Sequence, residues 1–149
     1  MSTDAAVTKH LIQTLEDGRD GFAKGADKLQ GDDAAEIAAT FRELSARRGE
    51  LSDELQELAK DYGDDLDDSG TVAGALHRGW MSLKDVVAGS DPKGVLDVAE
   101  QGEDHAVKEF EKARDDADIS AGLRTVVERQ LAEVRSAHDR VKALRDAHA

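Results

Sequence analysis

The chain has 149 residues, with 33 Asp and Glu against 20 Lys and Arg, giving a formal net charge of −13. Such a balance leaves no basic face for phosphates, so neither nucleic acid nor an anionic membrane surface is an expected partner. The absence of Cys rules out disulfides and thiolate-ligated metal, and the length fits a single domain over residues 1–149.

No apolar run approaches the ~20 residues of a membrane span. The start, MSTDAAVTKH, lacks the basic segment and apolar run of a signal peptide, so the expected compartment is the cytoplasm. Ala, Leu, Glu, Asp, Lys and Arg dominate, and most of these side chains lose little rotamer freedom in a helix. No stretch alternates Val, Ile and Thr with period two, so the expectation is all-α.

The first helix is expected over Ala5 to Leu29, with Val7, Leu11, Leu15, Gly18, Phe22, Ala26 and Leu29 on one stripe. Gln30-Gly31-Asp32 reads as a turn, with Asp32 or Asp33 as N-cap of a second helix reaching Tyr62. Its stripe runs Ile37, Phe41, Leu44, Arg48, Leu51, Leu55, Leu58 and Tyr62 in unbroken threes and fours, the pattern of a bundle seam. After the acidic stretch 63–70, capped by Ser69, a shorter helix is expected from Thr71 to Val87. Asp91 and Pro92 then open a helix to Arg114, as N-cap and first helical residue. Ser120 caps the last helix, Ala121 to Ala147. Two antiparallel hairpins joined by a long crossover make a ferritin-like four-helix bundle, here with an additional short crossover helix.

Three polar residues occupy apolar slots: Arg48 in the second helix, Glu103 in the third long helix and His138 in the last. An isolated buried carboxylate costs several kcal/mol, so Glu103 needs a partner, and Arg48 stands at a similar bundle height. The first reading is a buried Glu103–Arg48 ion pair with His138 hydrogen-bonded nearby. Gly18 and Gly102 also sit in mid-helix core slots, at about 1 kcal/mol each relative to Ala, which implies that each makes room for something. The alternative is an iron or manganese site built from Glu16, Glu100, Glu103 and His138. Against it, bundle di-metal sites use two Glu-x-x-His motifs, which are absent, and Arg48 would oppose a second cation. No catalytic residues are assigned, because neither a nucleophile elbow, a phosphate-binding Gly loop nor a zinc-protease motif occurs. His10, His105 and His148 read as solvent-facing or terminal.

LHRGW, residues 76–80, is the other distinctive run. Trp80 either packs the short helix onto the bundle or, with His77 and Met81, anchors a subunit interface, where Trp is enriched. The stretches LIQTLEDGRDGF (11–22), GALHRGWMSLKDVVAG (74–89), EQGEDHAVKEFEKA (100–113) and VERQLAEVRSAHDRVKALRD (127–146) together resemble a bacterial ferritin-like four-helix-bundle family of unknown function. The resemblance implies a ferritin-like fold and small cytosolic proteins, some linked to stress physiology, and implies no reaction.

Two functions are therefore expected to compete. One is a non-catalytic bundle acting by association, with a homodimer or a protein partner and no cofactor. The other is a degenerate ferritin-like metalloprotein.

Overall fold

The computed structural model describes residues 3–62 and 79–148. Four helices account for most of them: α1 (Thr3–Lys28), α2 (Ala35–Ala59), α3 (Pro92–Arg114) and α4 (Ala121–Ala147). No strand occurs among the described residues, and the fold is an all-α four-helix bundle.

Each helix forms because one face is apolar at three-and-four spacing and can be buried against its neighbours. In α1 that face includes Ala5, Leu11, Ile12, Leu15, Gly18, Phe22 and Ala26. The ends follow local chemistry. Pro92 fills the first turn of α3, and the Asp91 side chain accepts from Lys93 N at 2.9 Å. Ser120 Oγ accepts from Leu123 N at 3.2 Å and opens α4. The turn after α1 is made at Gly31, whose φ of 96° is a conformation that L side chains avoid.

Long-range contacts fix the directions. Ser45 Oγ donates to Arg19 O, and Arg42 pairs with Asp27, so α1 and α2 are antiparallel. Arg145 pairs with Glu100 and Arg135 with Glu111, so α3 and α4 are antiparallel too. His10 on α1 meets Glu109, while Gly21 faces the same indole as Gly102, so α1 runs against α3. It follows that α2 and α3 are parallel, so Tyr62 after α2 and Pro92 at the start of α3 lie toward opposite ends of the bundle.

The core has two halves. One gathers Phe22, Phe41, Leu44, Trp80, Leu83, Leu96, Ala99 and Val141. The other gathers Leu11, Leu15, Leu51, Leu55, Ala106, Phe110, Leu123, Leu131 and Val134. Along α1, α2 and α3 the boundary between them falls at Gly18, Arg48 and Glu103.

Three expectations about elements need correction. The N-cap of α2 is neither Asp32 nor Asp33: residues 32–34 form a single 3-10 turn, and Ala34 caps α2 without a side-chain hydrogen bond. The α-helix ends at Ala59, and Lys60–Tyr62 tighten into another 3-10 turn. A helix over 71–87 does not occur in its described part. Met81–Asp85 is a 3-10 turn that ends at the extended Val86, because holding Trp80 and Leu83 inward takes one tight turn rather than a helical face. Residues 71–78, with Val72, Leu76 and His77, lie outside the described residues, as do Ser69 and the rest of the acidic stretch.

Candidate functional site

At the boundary between the two half-cores, Arg48 Nη2 donates to Glu103 Oε1 at 2.5 Å. Both are enclosed, Arg48 at 2 % exposure and Glu103 at 0 %. The guanidinium lies over the Phe22 ring, with Cζ 5.4 Å from its centroid, a favourable placement for a cation. It also lies against Gly18, where a Cβ would come within 2.7 Å of Nη1. The glycine that looked expensive in mid-helix therefore makes room for the arginine. Burial pushes the Glu103 carboxyl above the usual carboxylate range, against the pull of Arg48. Arg48 Nη1 and Glu103 Oε2 have no protein hydrogen-bond partner among the described residues, so the pair is only half satisfied.

Trp80 fills the crevice between α1 and α3. Its indole occupies the space that a Cβ would need at either Gly21 or Gly102. It meets Phe22 edge-on at 4.9 Å, and Phe22 meets Phe41 the same way at 5.2 Å. Trp80 is 2 % exposed. Its reading as an exposed interface anchor is thus corrected: two glycines open a slot in the chain's own bundle, and burying the indole there leaves nothing for a partner. Of the other residues in that reading, Met81 is exposed and His77 lies outside the described residues.

His138 belongs to a different place from the pair. Expected in the core, its side chain is 20 % exposed, on the seam of α3 and α4. Nε2 lies 2.6 Å from Asp104 Oδ1, and Nδ1 lies 3.2 Å from Asp139 Oδ1. Burial alone would lower its pKa; the bonds to Asp139 and Asp104 outweigh that and raise it. Glu100 joins this group, with Oε2 2.6 Å from Arg145 Nη1. One ligand atom from each of Glu100, Asp104 and His138 lies within 4.8 Å of the others.

The metal set expected from sequence is therefore regrouped. Glu103 is turned to Arg48, and Glu16 accepts from Arg19 on its own helix at 3.3 Å. Asp104 takes their place beside Glu100 and His138, and the sequence reading missed it. The signal was present, since Glu100 and Asp104 are four apart and share a helix face. Also missed was His10, whose Nε2 lies 2.7 Å from Glu109 Oε1 across α1 and α3. Burial would raise the Glu109 pKa, but His10 and Lys112 hold it below the usual range. This pair borders an open groove of about 410 Å³ lined by Thr3, Ala6, Val7, His10, Lys112 and Ala113.

Fold and interior together define a four-helix-bundle protein with a charged layer across its core. The chain belongs to the family described as a domain of unknown function, DUF2383, whose model matches residues 6–116. The matched stretch carries Gly18, Arg48, Trp80 and Glu103, and α4 lies beyond it. No curated protein matches the chain.

Proposed function

We propose that this chain is a ferritin-like, non-catalytic helical bundle of the cytoplasm that acts by association, first with a second copy of itself. The observation that carries the reading is the Arg48–Glu103 pair at 2.5 Å. A carboxylate that a core metal would require is taken by a guanidinium, and a fixed cation at that level repels an incoming ion. The parallel α2 and α3, with their long connection, support the ferritin-like arrangement. No helix among the described residues is long and apolar enough to cross a membrane, in keeping with a soluble setting. The stress setting rests on the sequence resemblance alone. Met81 and Val87 support association: among the described residues they are the exposed large hydrophobic ones, at 53 % and 71 %, and they flank one short connection.

Light scattering on the full chain at low and moderate salt tests the reading. Twofold dimers are the commonest closed assembly. A net charge of −13 opposes close approach, so the expected result is a mass of two chains that persists to lower concentration as salt screens the repulsion. A monomer at both salts would overturn it.

A further inference from the structure

The geometry points to a divalent transition-metal site on the α3–α4 seam, with Glu100, Asp104 and His138 as its ligands, separate from the ion pair in the core. Glu100 and Asp104 project from one turn of α3, and His138 comes from the facing turn of α4. Two helices thus supply one imidazole nitrogen and two carboxylates. Their ligand atoms already lie within 4.8 Å of one another. Donors about 2.0–2.2 Å from a shared ion at tetrahedral to square angles are roughly 3–3.5 Å apart. Reaching that spacing means opening the 2.6 Å contact between Asp104 Oδ1 and His138 Nε2 and drawing any wider pair together from at most 4.8 Å.

A second observation concerns the far side of the imidazole. Asp139 Oδ1 lies 3.2 Å from His138 Nδ1, and Asp139 is not one of the three ligands. That contact orients the ring with Nε2 toward the carboxylates, the outer-shell arrangement typical of histidines that bind metal. Asp104 is half exposed, which leaves a path for an ion and open positions for water. The donor set of one nitrogen and two oxygens suits zinc, manganese or ferrous iron rather than calcium, which prefers oxygen alone. Arg145, 2.6 Å from Glu100 Oε2, is the competitor of the incoming cation.

Titrating zinc chloride, and separately manganese chloride, into the chelator-stripped full chain tests the site. The expected result is one saturable equivalent per chain. Binding should weaken at least tenfold in Asp104→Asn and in His138→Gln, strengthen in Arg145→Ala, and stay unchanged in Glu111→Gln, a carboxylate further along α3. Manganese should broaden the backbone resonances around residues 100, 104 and 138 before all others, a readout that needs no variant. Diffuse broadening across the acidic surface, or an affinity indifferent to both Asp104→Asn and His138→Gln, would overturn the assignment.

Discussion

Two side chains that oppose their surroundings, Arg48 and Trp80, are each accommodated by glycine. Gly18 admits the guanidinium, and Gly21 with Gly102 admits the indole. Size is what matters at these three positions, because the helix backbone there is regular. Gly21→Ala or Gly102→Ala places a methyl inside the Trp80 ring, and overpacking of this kind costs typically 1–3 kcal/mol. Urea unfolding should show that loss, and Trp80 emission should move to the red as the ring is displaced. An unshifted spectrum at full stability would contradict the packing. The sequence marked Gly18 and Gly102 as unusual, since glycine in mid-helix needs a reason. It could not say that Trp80 answers Gly102, because the two belong to different elements and no periodicity links them.

Periodicity served the four long helices well and failed between them. It located α1, α3 and α4 to within two residues at their ends, since each has a sustained stripe and the last two have capping residues that act locally. Residues 79–87 misled it: Leu83 at a helical distance from Leu76 is equally compatible with one tight turn that buries Leu83. Between α2 and α4, beside the shared apolar core, lies a set of ion pairs to which periodicity is blind. Arg47 holds Glu133 through two nitrogens, the nearer at 2.5 Å. Arg129 pairs with Glu54, which also accepts from Gln130 Nε2 at 2.7 Å. Hydrogen bonding to Arg129 lowers the Glu54 pKa, and hydrogen bonding to Arg47 lowers that of Glu133. A carboxylate with a depressed folded-state pKa stabilises above the unfolded value of 4.5 and loses that contribution as pH falls through the folded value. Glu54→Gln with Glu133→Gln should therefore lower stability near pH 7, by roughly 0.2–1 kcal/mol per pair for such exposed contacts. The difference from the parent should vanish in acid. Urea unfolding across pH 2–7, on the order of one point per pH unit, reads it; a gap independent of pH would reject the clasp.

Across the whole molecule, the charged layer divides the apolar core clusters in two. A half-satisfied buried pair adds little stability over a hydrophobic filling. What it does fix is a meeting point: Arg48 on α2 reaches Glu103 on α3 in the register the two helices adopt. The bundle class and the pairing of Glu103 with Arg48 were legible because both residues stand in unbroken stripes. The seam of Glu100, Asp104 and His138 was legible only in part, since Asp104 sits off the apolar face of α3. At the bundle centre, elemental analysis of protein purified without chelator should find no stoichiometric iron once Asp104→Asn has removed the surface ligand. About one or two equivalents retained in that variant would place metal in the core.

The most direct test of a core closed by an ion pair rather than prepared for metal compares single and double variants by urea unfolding, in metal-free buffer at neutral pH. Glu103→Ala alone should cost about 3–5 kcal/mol, because it leaves Arg48 charged and buried without a partner. Replacing both residues, Arg48→Met with Glu103→Leu, should cost far less than the single change, or stabilise the fold. A double variant at least as unstable as Glu103→Ala would contradict the account.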